Sequence, residues 1–196
     1  MVLAPRHALD RTPLATHLRG TVLASSLSAI DGLGLRDDYF ATLAPEHHDP
    51  IRGLVVNDWV PMALALAHYG ALETMGLAGE VARDNGRKVA DRVQKSYIAT
   101  LVRALGVGIT PWSILPRTQS VLDRLLLGST VAVYKVGPKD ARIEMHGIPI
   151  ARYAYVRSGW SGMIEGGLDL VCRKSFVKDV SAKRTDTVAC YLVTWA

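Results

Sequence analysis

The pattern of hydrophobic positions changes character at Gly128. Between residues 60 and 127 apolar side chains recur at spacings of three and four, whereas over residues 129–146 and 174–195 they alternate with polar side chains. The first spacing places side chains on one face of a helix, and the alternation places them on one face of a strand. Separate helical and strand-rich stretches predict the α+β class, with helices packed on an antiparallel sheet.

Two long helices are predicted before Gly106. The first begins near Val60, with Asn57 or Asp58 as its N-cap, and Gly76 stops it. Apolar residues cover almost its whole circumference, which is typical of a central, buried helix. The second runs from about Ala78 to Leu105, with apolar residues on one side and arginines and lysines on the other.

The remaining helical and irregular segments are shorter. A third helix is predicted from Pro111 to Leu127, with Pro116 as a candidate break. Residues 20–30 are compatible with either a strand or a helix, because their Val and Thr content does not distinguish between the two. A short helix is predicted over residues 37–43 and a turn over residues 45–50. We interpret residues 1–16 as a loose N-terminal arm and residues 17–196 as a single domain.

The C-terminal third predicts two β-hairpins with a helix between them. Residues 129–136 and 141–146 form the first hairpin around a Gly-Pro turn, and residues 174–195 form the second. The intervening helix, residues 152–172, is rich in glycine. We therefore expect a sheet of about four antiparallel strands. A parallel Rossmann arrangement is disfavoured, because strands do not alternate singly with helices.

Composition and charge narrow the functional classes. The chain has 196 residues, 49% of them hydrophobic, and a formal net charge of +5. Its basic residues are dispersed and carry no nucleic-acid-binding signature, so nucleic acid is not an expected partner. No apolar run approaches the ~20 residues of a membrane-spanning helix. No secretory signal core is present. We expect a cytoplasmic protein in which Cys172 and Cys190 are free, buried thiols.

Several motifs together resemble a known group of proteins. They are Trp59-Val-Pro61, Gly86-Arg-Lys-Val-Ala-Asp-Arg92, Gly159-Trp-Ser-Gly162 and Tyr191-Leu-Val-Thr-Trp195. Their order and spacing, over about residues 18–196, resemble a myxobacterial paralogous family of unknown function. That family is similar to the 4-vinyl-reductase-like small-molecule-binding domain, to TRAPP vesicle-tethering subunits and to haem nitric-oxide-binding domains. The resemblance implies a TRAPP-like sheet backed by helices around an apolar cavity, which in relatives holds an acyl chain, a small aromatic or tetrapyrrole-type molecule, or haem.

The chain departs from that resemblance at two places. The vinyl-reductase-like pattern ends with a pair of cysteines, but here only Cys190 is present near the last turn. The haem-sensor signature Tyr-x-Ser-x-Arg is also absent, since Tyr155-Val-Arg-Ser158 has a similar composition in a different order. We therefore predict no metal site and no cofactor, and haem is not expected.

Seven residues are assigned to the wall of a ligand-binding cavity on this basis. They are His68, Tyr69, Tyr153, Val156, Trp160, Met163 and Glu165. At His68, a core histidine with satisfied hydrogen bonds is favoured over a haem ligand. At Glu165, a paired or surface glutamate is favoured over an acid–base group. The glycines of residues 159–166 favour close packing against the sheet or against a symmetry-related helix.

The function favoured by these observations is a non-enzymatic small-molecule-binding or sensory domain with a lipid-like or aromatic ligand. No catalytic residue is assigned. The alternative is a dimerising protein–protein adaptor or scaffold, whose cavity is filled by its own side chains. A signalling role is expected. A haem- or metal-dependent enzyme or gas sensor is the third hypothesis. A homodimer is expected.

Overall fold

The computed structural model describes residues 2–91 and 109–196. The strands in chain order are β1 His17–Arg19, β2 Trp59–Pro61, β3 Leu126–Leu127, β4 Thr130–Gly137, β5 Asp140–His146, β6 Ser175–Asp179 and β7 Val188–Trp195. The helices are α1 Gly20–Gly32, α2 Arg36–Thr42, α3 His48–Arg52, α4 Met62–Thr74, α5 (residues 80–91), α6 Pro111–Ile114, α7 Thr118–Leu122 and α8 Ala154–Leu168. The rest of the helix predicted to Leu105 lies outside the described residues.

The main sheet confirms the predicted α+β class. Its four strands are antiparallel in the order β4-β5-β7-β6, so each predicted hairpin contributes two of them. Ile143 pairs with Tyr191, and Val193 pairs with Val177. These side chains are buried, because alternation along each strand turns them to the face that α8 covers.

A second, three-stranded sheet in the order β2-β1-β3 was not predicted. Its strands have only two or three residues each, too few for a period-two pattern to be visible in the sequence. The sheet also replaces the predicted cap of the first long helix. Pro61 is the N-cap of α4, without a side-chain cap bond, and the Asp58 carbonyl accepts the Gly20 N–H at 2.8 Å.

Three further segments differ from or refine the predictions. Residues 20–30 form a helix, α1. The predicted turn over residues 45–50 is a 3₁₀ turn followed by α3, which includes Pro50 within its first turn. The predicted helix from Pro111 breaks at Pro116 and ends at Leu122, after which the chain enters β3. A capping box between Thr110 and Ser113 starts this region.

The segment predicted as an N-terminal arm lies against the edge of the main sheet. The Val2 N–H donates to the Val133 carbonyl at 2.8 Å, and the Ala15 N–H donates to the Gly147 carbonyl at 2.7 Å. At Val133 the arm therefore occupies backbone groups of the β4 edge, which would otherwise be free to pair with another chain. Among the described residues, no helix has the length and hydrophobicity needed to cross a membrane.

Candidate ligand-binding site

The glycines of α8 bring it into direct backbone contact with α5. A Cβ added at Gly86 would lie 1.8 Å from the Gly159 carbonyl oxygen, and one added at Gly162 would lie 1.9 Å from that of Arg83. Neither position has room for any side chain, because real Cβ contacts stay beyond about 3 Å. The close packing expected of these glycines is present, but its partner is α5 rather than the sheet or another copy of the chain.

Glu165 joins this helix pair to the edge strand β6. One of its carboxylate oxygens accepts from the Arg83 Nε at 3.0 Å and from Arg87 at 2.9 Å, and the other accepts from Arg83 and from the Val177 N–H. Arg83 also donates to the Val177 carbonyl at 2.8 Å. The outward backbone groups of Val177 are thus bonded to side chains, which closes this part of the sheet edge.

The same contacts decide the charge of Glu165. Burial by itself would raise the pKa of this carboxyl group, but hydrogen bonds and charge attraction from Arg83 and Arg87, with the Val177 N–H, outweigh burial and lower the pKa. The residue is therefore a carboxylate at neutral pH. Its position fits the paired glutamate that the sequence favours, rather than an acid–base group.

On its other side, α8 borders an apolar pocket of about 60 Å³. The pocket lies between α8, strand β5 and the segment from α6 to just beyond α7. Its wall contains a single polar side chain among the described residues, Thr118. The lining residues are Ile114, Leu115, Thr118, Val121, Leu122, Leu125, Ile143, Met145, Trp160, Met163, Ile164, Gly167 and Leu168. Such a wall favours an apolar ligand, which is held by burial rather than by hydrogen bonds.

A second pocket of about 30 Å³, the mixed pocket, lies between α1, α4, α5 and α8. It contains polar groups within an otherwise apolar wall. The Ser25 hydroxyl donates to the Asn85 side-chain oxygen at 2.8 Å, and the Asn85 amide donates to the Tyr155 hydroxyl at 3.3 Å. Burial raises the pKa of Tyr155 to about 12, so its hydroxyl stays protonated at neutral pH.

His68 belongs to a separate, fully buried network that joins α1, α2 and α4. Its Nε2 is 2.6 Å from the Ser26 hydroxyl and its Nδ1 is 2.7 Å from the Tyr39 hydroxyl. Since Ser26 donates its hydrogen to the Leu23 carbonyl, the Nε2–H donates to Ser26 and Nδ1 accepts from Tyr39. Burial lowers the pKa of His68 to about 3, so the imidazole is neutral and both nitrogens are occupied.

The residues predicted to form a cavity wall are therefore divided among several places. Trp160 and Met163 line both pockets, and Tyr69 and Val156 line the mixed pocket. His68 and Glu165 are held in the two networks described above. Tyr153 packs over Gly70, with its hydroxyl 3.3 Å from where a Cβ would lie.

Sequence reasoning missed Asn85 and the walls supplied by α7 and β5. The signal for α7 was available as Thr118, Val121, Leu122 and Leu125, which are three and four residues apart. Nothing in the sequence indicated that this short helix faces the same space as α8.

A wider groove of about 480 Å³ beside β1 is open to solvent, and its walls include charged Asp123 and Arg124. It is more open to solvent and more polar than the two pockets beside α8.

The fold is similar to that of H-NOX (haem nitric-oxide-binding) domains. A ferrous, unliganded H-NOX protein from K. algicida has a TM-score of 0.67 at 11% identity, covering 91% of this chain and 97% of that protein. An oxygen-binding H-NOX domain related to soluble guanylate cyclases has a TM-score of 0.57 at 13% identity, covering 91% and 95%. At this identity the likeness shows a shared fold. No family model matches the sequence, and no curated protein matches it.

These structures contradict the prediction that the protein has no cofactor and does not bind haem. Another H-NOX structure, which addresses haem distortion in that family, has a TM-score of 0.55 at 13% identity, covering 91% of this chain and 95% of that one. Haem is the group named for proteins of that family. The prediction was wrong because it relied on a short signature, whereas a fold is retained by buried positions that tolerate wide sequence change.

The described residues do not fit a haem group in their present arrangement. Haem iron is bound axially by His, Cys, Met or Tyr side chains. Within residues 2–91 and 109–196, the two pockets offer only methionines and tyrosines of this set, among them Met145, Met163 and Tyr155. Their volumes of about 60 and 30 Å³ are far below the roughly 300–1,000 Å³ typical of pockets that enclose a ligand. A drug-sized ligand, and above all a macrocycle, would therefore require movement of the wall.

Proposed function

We propose that this chain is a non-enzymatic small-molecule-binding domain of the sensory type. The observation that carries the proposal is the apolar pocket between α7, β5 and α8, in a fold shared with an oxygen-binding H-NOX domain. The pocket wall lacks an arrangement of nucleophile and base among the described residues. The buried histidine that could act as a base has both nitrogens occupied, which favours binding over catalysis.

Two ligand chemistries follow from different observations. The pocket wall favours a small lipid-like or aromatic molecule, since burial of apolar surface contributes about 25 cal/mol per Å². The neighbouring folds favour haem, which is the group named for those proteins. Both thiols are free; Cys190 is buried as predicted, whereas Cys172 is only half-buried.

The test is a pair of titrations on the purified full chain. Hemin is followed by its Soret absorption, and the neutral aromatic probe 1-aminoanthracene by its fluorescence. Saturable binding of either probe with one site per chain supports the proposal and identifies the ligand class. The variant Val121→Phe, which fills the apolar pocket, should abolish binding of the aromatic probe. Val55→Phe is the matched control, because Val55 is 55% exposed. If neither probe saturates, the proposed function is wrong.

A second candidate is the dimerising adaptor. The face of the main sheet opposite α8 exposes Phe176 at 61%, Val136 at 49% and Leu192 at 37%. Aromatic side chains such as Phe176 are enriched at protein interfaces. This candidate predicts a dimer in light scattering that Phe176→Lys converts to a monomer. A wild-type monomer at high concentration would exclude it.

A further inference from the structure

Trp160 and Met163 separate the apolar pocket from the mixed pocket. Both side chains line both spaces, and they are three residues apart on α8, so they project from one face of the helix. Their exposures are only 6% and 7%, so they lie inside the protein between the two spaces. If these two side chains moved, the spaces would become continuous.

The two sides of this partition differ in chemistry. The apolar pocket has one polar side chain in its described wall, Thr118. The mixed pocket has Asn85 and Tyr155 at hydrogen-bonding distance from each other. Because the Tyr155 hydroxyl accepts that bond, its own hydrogen remains available, and it has no acceptor within the described parts of the chain. The combined space is therefore apolar at one end and able to donate a hydrogen bond at the other.

The two partition residues differ in how readily they move. Met163 has an unbranched side chain with three rotatable bonds, which adapts to irregular space at little cost. Trp160 is rigid and large, so its displacement opens more volume. The helix itself cannot move away, because the glycine contacts with α5 fix its backbone at Gly159 and Gly162. Opening must therefore occur through side-chain rotation.

We propose that Trp160 and Met163 form a movable partition, and that the ligand is an elongated molecule with an apolar tail in the apolar pocket and one oxygen-containing head group at Asn85 and Tyr155. This inference rests on the proposed function and adds the shape and polarity of the ligand. It also assigns these two residues as the determinants of ligand length.

A series of straight-chain alcohols, from n-butanol to n-dodecanol, tests the partition by competition with 1-aminoanthracene. Each buried methylene contributes about 0.8 kcal/mol, which corresponds to about a fourfold decrease in Kd. For the wild type we expect this decrease to slow at the length where the partition must move. For Met163→Ala we expect the decrease in Kd to continue with chain length. n-Decanol should therefore bind this variant at least about tenfold more tightly than the wild type, whereas n-butanol should bind the two proteins equally.

Two more variants complete the test. Tyr155→Phe should weaken n-decanol about fivefold, the effect of one neutral hydrogen bond. Trp112→Phe is the control, because Trp112 packs against Trp195 outside both pockets and should change neither alcohol. Thermal melts verify that each variant is folded, and Met163→Val replaces Met163→Ala if the latter is not.

The outcomes separate the two proposals. Equal length dependence in the wild type and the Met163 variants overturns the partition and leaves the proposed function intact. An unchanged n-decanol affinity in Tyr155→Phe overturns the assigned orientation of the ligand. If no alcohol competes in any variant and 1-aminoanthracene does not bind, the proposed function itself fails.

Discussion

The two sides of helix α8 are packed in opposite ways. Toward α5, the helix presents glycines, and the two backbones touch at Gly86 and Gly162. Toward β5 and α7, it presents large side chains such as Trp160 and Ile164, which leave a pocket of about 60 Å³. The contact with the smallest residues is the tightest, and the larger of the two pockets lies on the side with the largest residues.

The physical reason is that two backbones in contact at glycines can pack at only one separation, whereas large side chains can pack in several rotamers. Two backbones in contact fix the distance between the helix axes, and no rotamer can relax it. Side chains such as Met163 can adopt different rotamers, so a wall made of them can be closed or open. The first side of α8 therefore determines where the helix lies, and the second can accommodate a ligand.

The largest expected effect comes from adding one methyl group on the tight side. Gly86→Ala would place a Cβ 1.8 Å from a backbone oxygen that cannot rotate away. We expect a loss of about 3 kcal/mol or more in the free energy of unfolding, or no folded protein. Urea denaturation measures it. Gly32→Ala is the control, because that helical position has no neighbour within 4 Å and should be unchanged or slightly stabilised.

A smaller effect is expected at the ionic contact beside the glycines. Glu165→Gln removes the charge that pairs with Arg83 and Arg87, and we expect a loss of about 2 kcal/mol at pH 7. Because the pKa of Glu165 is lowered from 4.5 in the folded protein, its contribution is present above that pH and is lost as pH falls through the folded value. The wild type and the variant should therefore converge in stability in acid. Glu46→Gln, at an exposed position, is the control and should show neither effect.

The buried histidine network gives a pH dependence away from α8. The pKa of His68 is lowered from 6.5 to about 3, so its neutral form stabilises the folded state above pH 6.5. Below pH 6.5 the unfolded state binds a proton that the folded state does not, and stability should fall by up to about 1.4 kcal/mol per pH unit. Denaturation between pH 7.5 and 5 measures the slope. His68→Gln should reduce it, whereas His7→Gln, at an exposed site, should not.

The smallest effect is expected on the open side. Val121→Ile adds one methylene to the wall of the apolar pocket, and we expect stabilisation of up to about 0.8 kcal/mol together with weaker binding of 1-aminoanthracene. Val55→Ile, on the surface, should change neither quantity. Destabilisation by Val121→Ile would mean that the pocket is already filled, and that the two sides of α8 differ less than their geometry indicates.

Part of this arrangement could be predicted from local patterns. Alternation identified both hairpins, and the clustering of glycines identified α8 as a closely packed helix. The short strands β1, β2 and β3 could not be predicted, because a strand such as Leu126–Leu127 has no period of its own. The cap expected at Asn57 or Asp58 was wrong because residues 59–61 pair with β1. A tertiary hydrogen-bonding partner outweighed a local preference.

The sequence by itself determined the class of fold, the four strands of the main sheet and the small residues that allow α8 to approach a neighbour closely. Only the tertiary structure decided which neighbour that is, that Glu165 joins α5 to β6, and that α7 and β5 complete a pocket with α8. Periodicity reports which face of an element is buried, because it depends on residues close together in the chain. It does not report what lies on the far side of that face, because the partners at a pocket are brought together by the fold from distant positions.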